Sequence, residues 1–230
     1  MKVVVHDLLR LRSPGDLVSP ERVPEWARYA LCRAPWVVVR RAAVEGKTIP
    51  VGVRGQNRRQ RFAGFVYSSS IVECVRPQDL SSCEAWKTAI RQEELPAMRA
   101  LPEVHATLRT SDLSWGPVGS VGFELATHFP ITHRTSDLDL IIRRNDLLIP
   151  PATLRTLLAL IKRIEIRIDL LLETADGAIS FLEYASGEPN LLLRSVNGPT
   201  LIPHPQISAL KGERLCPSQT HCLQPSLRSV

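Results

Sequence analysis

The sequence predicts an α+β protein of two domains, a small β-rich N-terminal unit followed by a larger unit that mixes strands and helices. Three observations predict it. Paired runs of β-branched residues crowd the first third of the chain, apolar residues at helical spacing begin near Ser81, and two acidic strands flank a helix between Ser136 and Glu173. At 230 residues the chain is long enough to bury most of the surface its unfolded form exposes. Its 44% hydrophobic and 23% charged content is ordinary for a globular protein, and 18 prolines against 12 glycines point to turns rather than disorder.

Taken in order, Trp36-Val37-Val38-Val39-Arg40-Arg41 and Ile49-Pro50-Val51-Gly52-Val53-Arg54 read as two strands of a hairpin around the turn signal Glu45-Gly46-Lys47. Phe62 to Tyr67 reads as a third strand. From Ser81 to about Leu101 the spacing turns helical, interrupted at Leu95-Pro96. These changes set expected domains of 1–80 and 81–205, with an irregular tail over 206–230. Val121, Leu125 and His128 or Phe129 suit a short helix with Ser120 near its N-cap. Leu154, Leu157, Leu158 and Ile161 then define a helix from Pro150 to about Lys162. Ile164-Glu165-Ile166-Arg167-Ile168-Asp169 alternates as a strand.

No apolar run approaches the roughly 20 residues that cross a bilayer. Charge at Lys2, His6 and Asp7 interrupts the stretch a signal peptide would need, so the cytoplasm is the expected compartment. Five scattered cysteines without a Cys-x-x-Cys pair fit neither a disulfide framework nor a zinc ribbon. Cys216 with His221-Cys222 lacks a fourth ligand. The net charge of +6 calls for an anionic partner. Four arginines (Arg54, Arg58, Arg59, Arg61) fall within eight residues without interleaved aromatics, which favours a localised anion site over a nucleic-acid groove.

The chemistry concentrates later in the chain. Gly119-Ser120 feeds a helix N-terminus, whose unpaired N–H groups and positive dipole suit phosphate oxygens. In Ser136-Asp137-Leu138-Asp139-Leu140, a strand period of two puts Asp137 and Asp139 on one face, about 7 Å apart. Such a pair can converge on a hard cation such as Mg²⁺. A strand showing acids to water has the same pattern. Asp169, or Glu165 farther back, offers a third carboxylate if the two acidic strands are neighbours, and three carboxylates could hold two ions. His6-Asp7 and His133 read as structural.

Gly119-Ser120, a helix, Asp137-Leu138-Asp139 and a later strand aspartate resemble the polymerase-β-like nucleotidyltransferases, with a longer gap between Ser120 and Asp137. A more specific resemblance lies in His6-Asp7-Leu8-Leu9, in Val51-Gly52-Val53-Arg54-Gly55 with Arg58 and Arg61, in Pro117 to Glu124, in Ser136 to Leu140, and in Arg167-Ile168-Asp169. These segments resemble the holo-acyl-carrier-protein synthases of malonate decarboxylase, also called phosphoribosyl-dephospho-CoA transferases. The resemblance spans about residues 6–205 and stops there.

That resemblance implies a mixed sheet with helices on one face in the second domain. It implies transfer of a phosphoribosyl-dephospho-CoA group from its triphosphoribosyl precursor to a serine of the apo acyl-carrier subunit, with loss of pyrophosphate. The expected metal ligands and catalytic residues are Asp137, Asp139 and Asp169, holding two Mg²⁺ ions; Gly119, Ser120, Arg54, Arg58 and Arg61 are the expected substrate contacts. Rival readings are a nucleotidyltransferase acting on another protein or a small alcohol, and a non-enzymatic basic module that binds nucleic acid.

Overall fold

The computed structural model describes residues 2–44, 46–57, 59–111 and 113–210. Arg58 and the Cys216, His221 and Cys222 cluster lie outside the described residues. The β-branched and aromatic runs of the first third form an antiparallel sheet of five strands: β1 (Leu8–Leu11), β2 (Trp36–Val39), β3 (Thr48–Arg54), β4 (Arg61–Tyr67) and β5 (Ile71–Val75). Their order is β4-β3-β2-β1-β5. The expected hairpin forms, with Val38 opposite Gly52 and Val39 opposite Val51.

A helix the sequence did not announce, α1 (Glu25–Arg33), packs on this sheet. It buries Ala27 and Leu31 against Val37, Val39, Val51 and Val53. A fully buried leucine side chain such as Leu31 is worth about 1.5–3 kcal/mol. Tertiary burial rather than helix propensity therefore holds this nine-residue segment.

The helical stretch expected from Ser81 to about Leu101 is interrupted at Leu95-Pro96 as the sequence suggests, and is divided again before that point. Pro77 starts α2 (Pro77–Ser82), a 3-10 turn covers Ala85–Thr88, and α3 (Pro96–Arg99) and α4 (Leu101–Leu108) follow. Glu84 takes the left-handed conformation at φ 50°, and Leu95 is extended ahead of Pro96, so no continuous ladder of helical hydrogen bonds can cross either point.

The second sheet contains β6 (Ser114–Pro117), β7 (Leu138–Arg143), β8 (Ile168–Glu173), β9 (Ala178–Ser180), β10 (Asn190–Ser195) and β11 (Gly198–Pro203). Helices α5 (Gly119–Thr127), α6 (Pro151–Arg163), α7 (Phe181–Ala185) and α8 (Pro205–Leu210) connect or follow them. The order is β11-β10-β9-β8-β7-β6, and the sheet is mixed because α6 carries the chain over so that β7 and β8 run parallel. The architecture is thus α+β, as the sequence predicts.

Two boundaries differ. The second acidic strand starts at Ile168, not Ile164, because Ile164 caps α6 and its amide still donates to the Leu160 carbonyl. Residues 205–210 are helical where an irregular tail was expected to begin. Among the described residues no helix is long and apolar enough to cross a membrane.

The sheets are joined through α5 and three charged contacts. Phe123 of α5 packs with Leu8, Trp36 and Ile131, while Val121 and Leu125 enter the larger core under the second sheet. Asp7 is fully buried; it accepts from the Val4 amide and from Arg143, which also donates to the Val5 carbonyl. Arg41 donates to both carboxylate oxygens of Glu173 at 2.7 Å. His6 Nε2 stands 3.6 Å from the same group.

Burial pushes the Glu173 carboxyl up, but His6 and Arg41 outweigh it and hold the group below its ordinary value of 4.5. A depressed carboxyl stabilises the fold above its unfolded pKa and loses that contribution as pH falls through the folded one. Glu173→Gln, which leaves Arg41 half-paired, is expected to cost about 3 kcal/mol at neutral pH. Chemical unfolding at a series of pH values checks it: the difference from the parent should shrink below pH 4.5.

Candidate active site

The site grows from the end of β6. Val118 is extended, and its amide donates to the Asp139 carbonyl, so the chain still runs alongside β7 at this point. Gly119 then turns at φ +64° into α5. A Cβ at Gly119 would lie 1.8 Å from Asp139 Oδ2 and 2.7 Å from its Cγ. Glycine is therefore required twice, for its left-handed backbone and for the close approach of a carboxylate. In sequence the same glycine suggests approach by a phosphate; in the fold its immediate neighbour is Asp139.

Ser120 is buried inside the first turn of α5. It is not the N-cap, a position held by Val118, because the helix begins two residues earlier than its sequence suggests. The first-turn amides nonetheless lack partners within the helix and carry its positive dipole end.

Strand pairing assembles the carboxylates. Asp139 of β7 and Asp169 of β8 are direct partners in a parallel register. Registered residues of adjacent strands share a face, with backbones about 4.8 Å apart. Asp137 precedes β7 and lies within the electrostatic field of Asp139. Glu165 is exposed in the turn before β8 and is not part of the strand, which removes the reason for weighing it as the third acid. Asp169 accepts from Arg167 Nε at 3.1 Å.

The surroundings of Asp139 shift its carboxyl. Burial raises its pKa, Asp169 and Asp137 raise it further, and Arg54 and Arg61 only partly offset them. The cause is first the loss of water around the carboxylate and then the negative charge of its neighbours. The two arginines come from β3 and β4, where Arg54 pairs directly with Arg61 across the first sheet. The N-terminal sheet therefore presents cations to acids of the second sheet, across a cavity of about 620 Å³ lined by Gly119, Arg54, Arg61, Asp139 and Asp169.

Ser120 and Asp137 lie outside that lining, and Arg58 lies outside the described residues. His133 is exposed, with its amide donating to Ser136 Oγ. Asp7 is structural, as expected, whereas His6 reaches the cavity wall at a positive φ of 73°. Sequence reasoning missed four arginines that also line the cavity: Arg40, Arg41, Arg167 and Arg194. The signal for the first pair was the Arg-Arg step closing an apolar strand; Arg194 offered none.

The donor set suits a hard divalent cation. Asp137, Asp139 and Asp169 are all oxygen donors, and a cation would offset both the burial of Asp139 and the charge of its acidic neighbours. Among the described residues, no three His, Cys, Asp or Glu side chains stand in a ready-made metal cage.

Comparison with known proteins gives consistent matches over both sheets. Residues 4–77 match the family model described as phosphoribosyl-dephospho-CoA transferase MdcG N-terminal domain, and residues 80–205 match that of the C-terminal domain. A phosphoribosyl-dephospho-CoA transferase of Pseudomonas aeruginosa is 38% identical over 87% of this chain and 92% of its own. The one from Pseudomonas fluorescens is 38% identical over 88% and 94%, respectively. That of Azotobacter vinelandii is 35% identical over 87% of this chain and 97% of its own. No solved structure matches the chain at a significant level.

Proposed function

Because the chain belongs to the phosphoribosyl-dephospho-CoA transferase family, we propose that the cavity between its sheets loads the acyl-carrier subunit of malonate decarboxylase. The donor is the triphosphoribosyl form of dephospho-CoA, the acceptor is a serine hydroxyl of the apo subunit, and pyrophosphate leaves. One observation supports this reading above the others: acids that suit a metal ion and arginines that suit phosphates face each other across a single cavity.

The residues divide the work. Arg54 and Arg61 bind the triphosphate through forked, charge-assisted hydrogen bonds. The start of α5, at Gly119 and Ser120, receives the outgoing phosphates on its backbone amides. Mg²⁺ held by Asp137, Asp139 and Asp169, as one ion or two, would supply neutralisation of the phosphate charge. Asp169 accepts the serine proton as the serine oxygen bonds to the α-phosphorus. The bond from that phosphorus to the bridging oxygen breaks, and its electron pair departs with pyrophosphate. Arg167 keeps the Asp169 carboxyl oriented through its 3.1 Å contact.

Arg61→Glu places a like charge against the triphosphate and is expected to raise KM for the precursor about tenfold or more. Steady-state kinetics with the precursor varied reads this, and an unchanged KM removes Arg61 from the site. The reaction itself is tested by mass spectrometry of apo carrier subunit incubated with the protein, Mg²⁺ and the precursor. A mass gain of one phosphoribosyl-dephospho-CoA group on its serine is expected. Absence of any gain, with the donor intact, sinks the reading.

A further inference from the structure

We propose that a small aromatic pocket beside the phosphate cavity is a purine subsite, and that it seats the adenine of the dephospho-CoA moiety. The inference rests on the transferase reading above and adds where one end of the donor is held. The pocket has a volume of about 120 Å³ and is walled by Trp26, Tyr29 and Arg33 of α1 and by Phe129 after α5, with Gln60 on the loop between β3 and β4. Arg54 and Phe123 belong to its wall and to that of the phosphate cavity alike, so the two spaces share a partition.

The chemistry of the wall favours a flat heteroaromatic ring. The Arg33 guanidinium carbon sits 4.8 Å from the Phe129 ring centre and 5.7 Å from that of Tyr29, a stacked cation between two π faces. Tyr29 is more than half exposed. An exposed aromatic ring and a planar guanidinium are surfaces on which a base stacks whatever its sequence identity. Gln60 Oε1 accepts from the Gln56 backbone amide at 2.9 Å, which fixes the Gln60 side chain in the wall with its NH2 group as a donor for a base edge. An aliphatic pantetheine arm would gain little from either feature.

The loop that closes this pocket is built around Gly55. A Cβ there would come within 2.9 Å of the Trp26 ring and 2.5 Å of Gln60, so only glycine lets the chain pass so near the indole. The adjacent residue, Arg54, carries its charge toward Asp139. The Arg54-Gly55 step therefore couples a phosphate contact to a base contact. The donor has the matching layout: its triphosphoribosyl group is attached to the ribose that bears the adenine, so base and triphosphate are two sugars apart. Pantetheine extends from the opposite end of that ribose.

Equilibrium binding of dephospho-CoA and of 4′-phosphopantetheine, followed by calorimetry, tests the subsite. Dephospho-CoA is expected to saturate the parent protein, and Tyr29→Ala, at an exposed position, to weaken it roughly tenfold. Phe129→Leu, which keeps an apolar filler, is expected to weaken it to a smaller extent. Binding of 4′-phosphopantetheine should be the same in all three proteins. Equal dephospho-CoA affinity in parent and Tyr29→Ala overturns the subsite, as does failure to saturate at millimolar dephospho-CoA. Carrier loading by the parent, run in parallel, keeps the outcomes separate: loading without a Tyr29 effect rejects the purine site alone, and absence of loading rejects the transferase reading.

Discussion

Asp139→Asn is expected to lower carrier loading on the order of 10³-fold while making the metal-free protein more stable at neutral pH. The two effects share one cause. Burial and the neighbouring Asp169 and Asp137 hold the Asp139 carboxyl above its ordinary value of 3.8, so its ionised form is disfavoured in the fold. A raised carboxyl gives its full stability below the unfolded pKa, where it is neutral, and loses it as pH rises through the folded value. Asparagine keeps the shape and removes the charge. The melting temperature of the variant in a chelator should exceed that of the parent at neutral pH, and the gap should close as pH approaches 4. Unchanged loading by the variant would remove Asp139 from the chemistry. A lower melting temperature at neutral pH would show that its contacts outweigh its repulsion.

Gly119→Ala is the second. The methyl group would occupy space now held by the Asp139 carboxylate, 1.8 Å from Oδ2, and alanine at φ +64° adds a backbone cost of about 1–2 kcal/mol. Asp139 must move for the helix start to stay in place. Displacement of about 1 Å in a reacting constellation lowers turnover by roughly 100-fold, so kcat should fall by that order. KM for the precursor should change less, because Arg54 and Arg61 are untouched. Measured kcat near the parent value would mean that Asp139 relaxes without loss.

Gly119→Ala also separates two roles that the sequence merges. A glycine before a helix reads as a place where phosphate approaches the backbone, and that reading requires only local chain geometry. The fold adds a carboxylate from a strand twenty residues later, pressed against the same Cα. This contact depends on pairing between Val118 and Asp139, which no local pattern encodes.

Several features were legible because they depend on local chemistry. β-branched runs around a glycine turn specify the β2–β3 hairpin, since such side chains fit a pleated, half-buried surface. Apolar spacing at Leu154, Leu157, Leu158 and Ile161 specifies α6, whose observed limits of Pro151–Arg163 differ by a residue from the expected ones. Alternation around Asp139 identifies an acidic strand, although β7 begins at Leu138 and leaves Asp137 just ahead of it. By contrast, α1 was hidden because Pro20 and Pro24 make its surroundings read as loop, and only burial of Ala27 and Leu31 against the sheet makes the segment helical.

Local patterns along the chain suffice for the fold class and the family, and they single out the acids that carry the proposed chemistry. The tertiary structure alone decided which acids meet. Asp139 and Asp169 are neighbours because α6 returns the chain parallel to β7, and Glu165 is excluded because the helix cap consumes the residues before Ile168. It alone decided that Arg54 and Arg61, some eighty residues before Asp139, act on it. Charge interaction acts through space, and the few ångströms between these groups are set by the docking of two sheets through Asp7, Arg143, Arg41 and Glu173. No spacing along the chain records that distance.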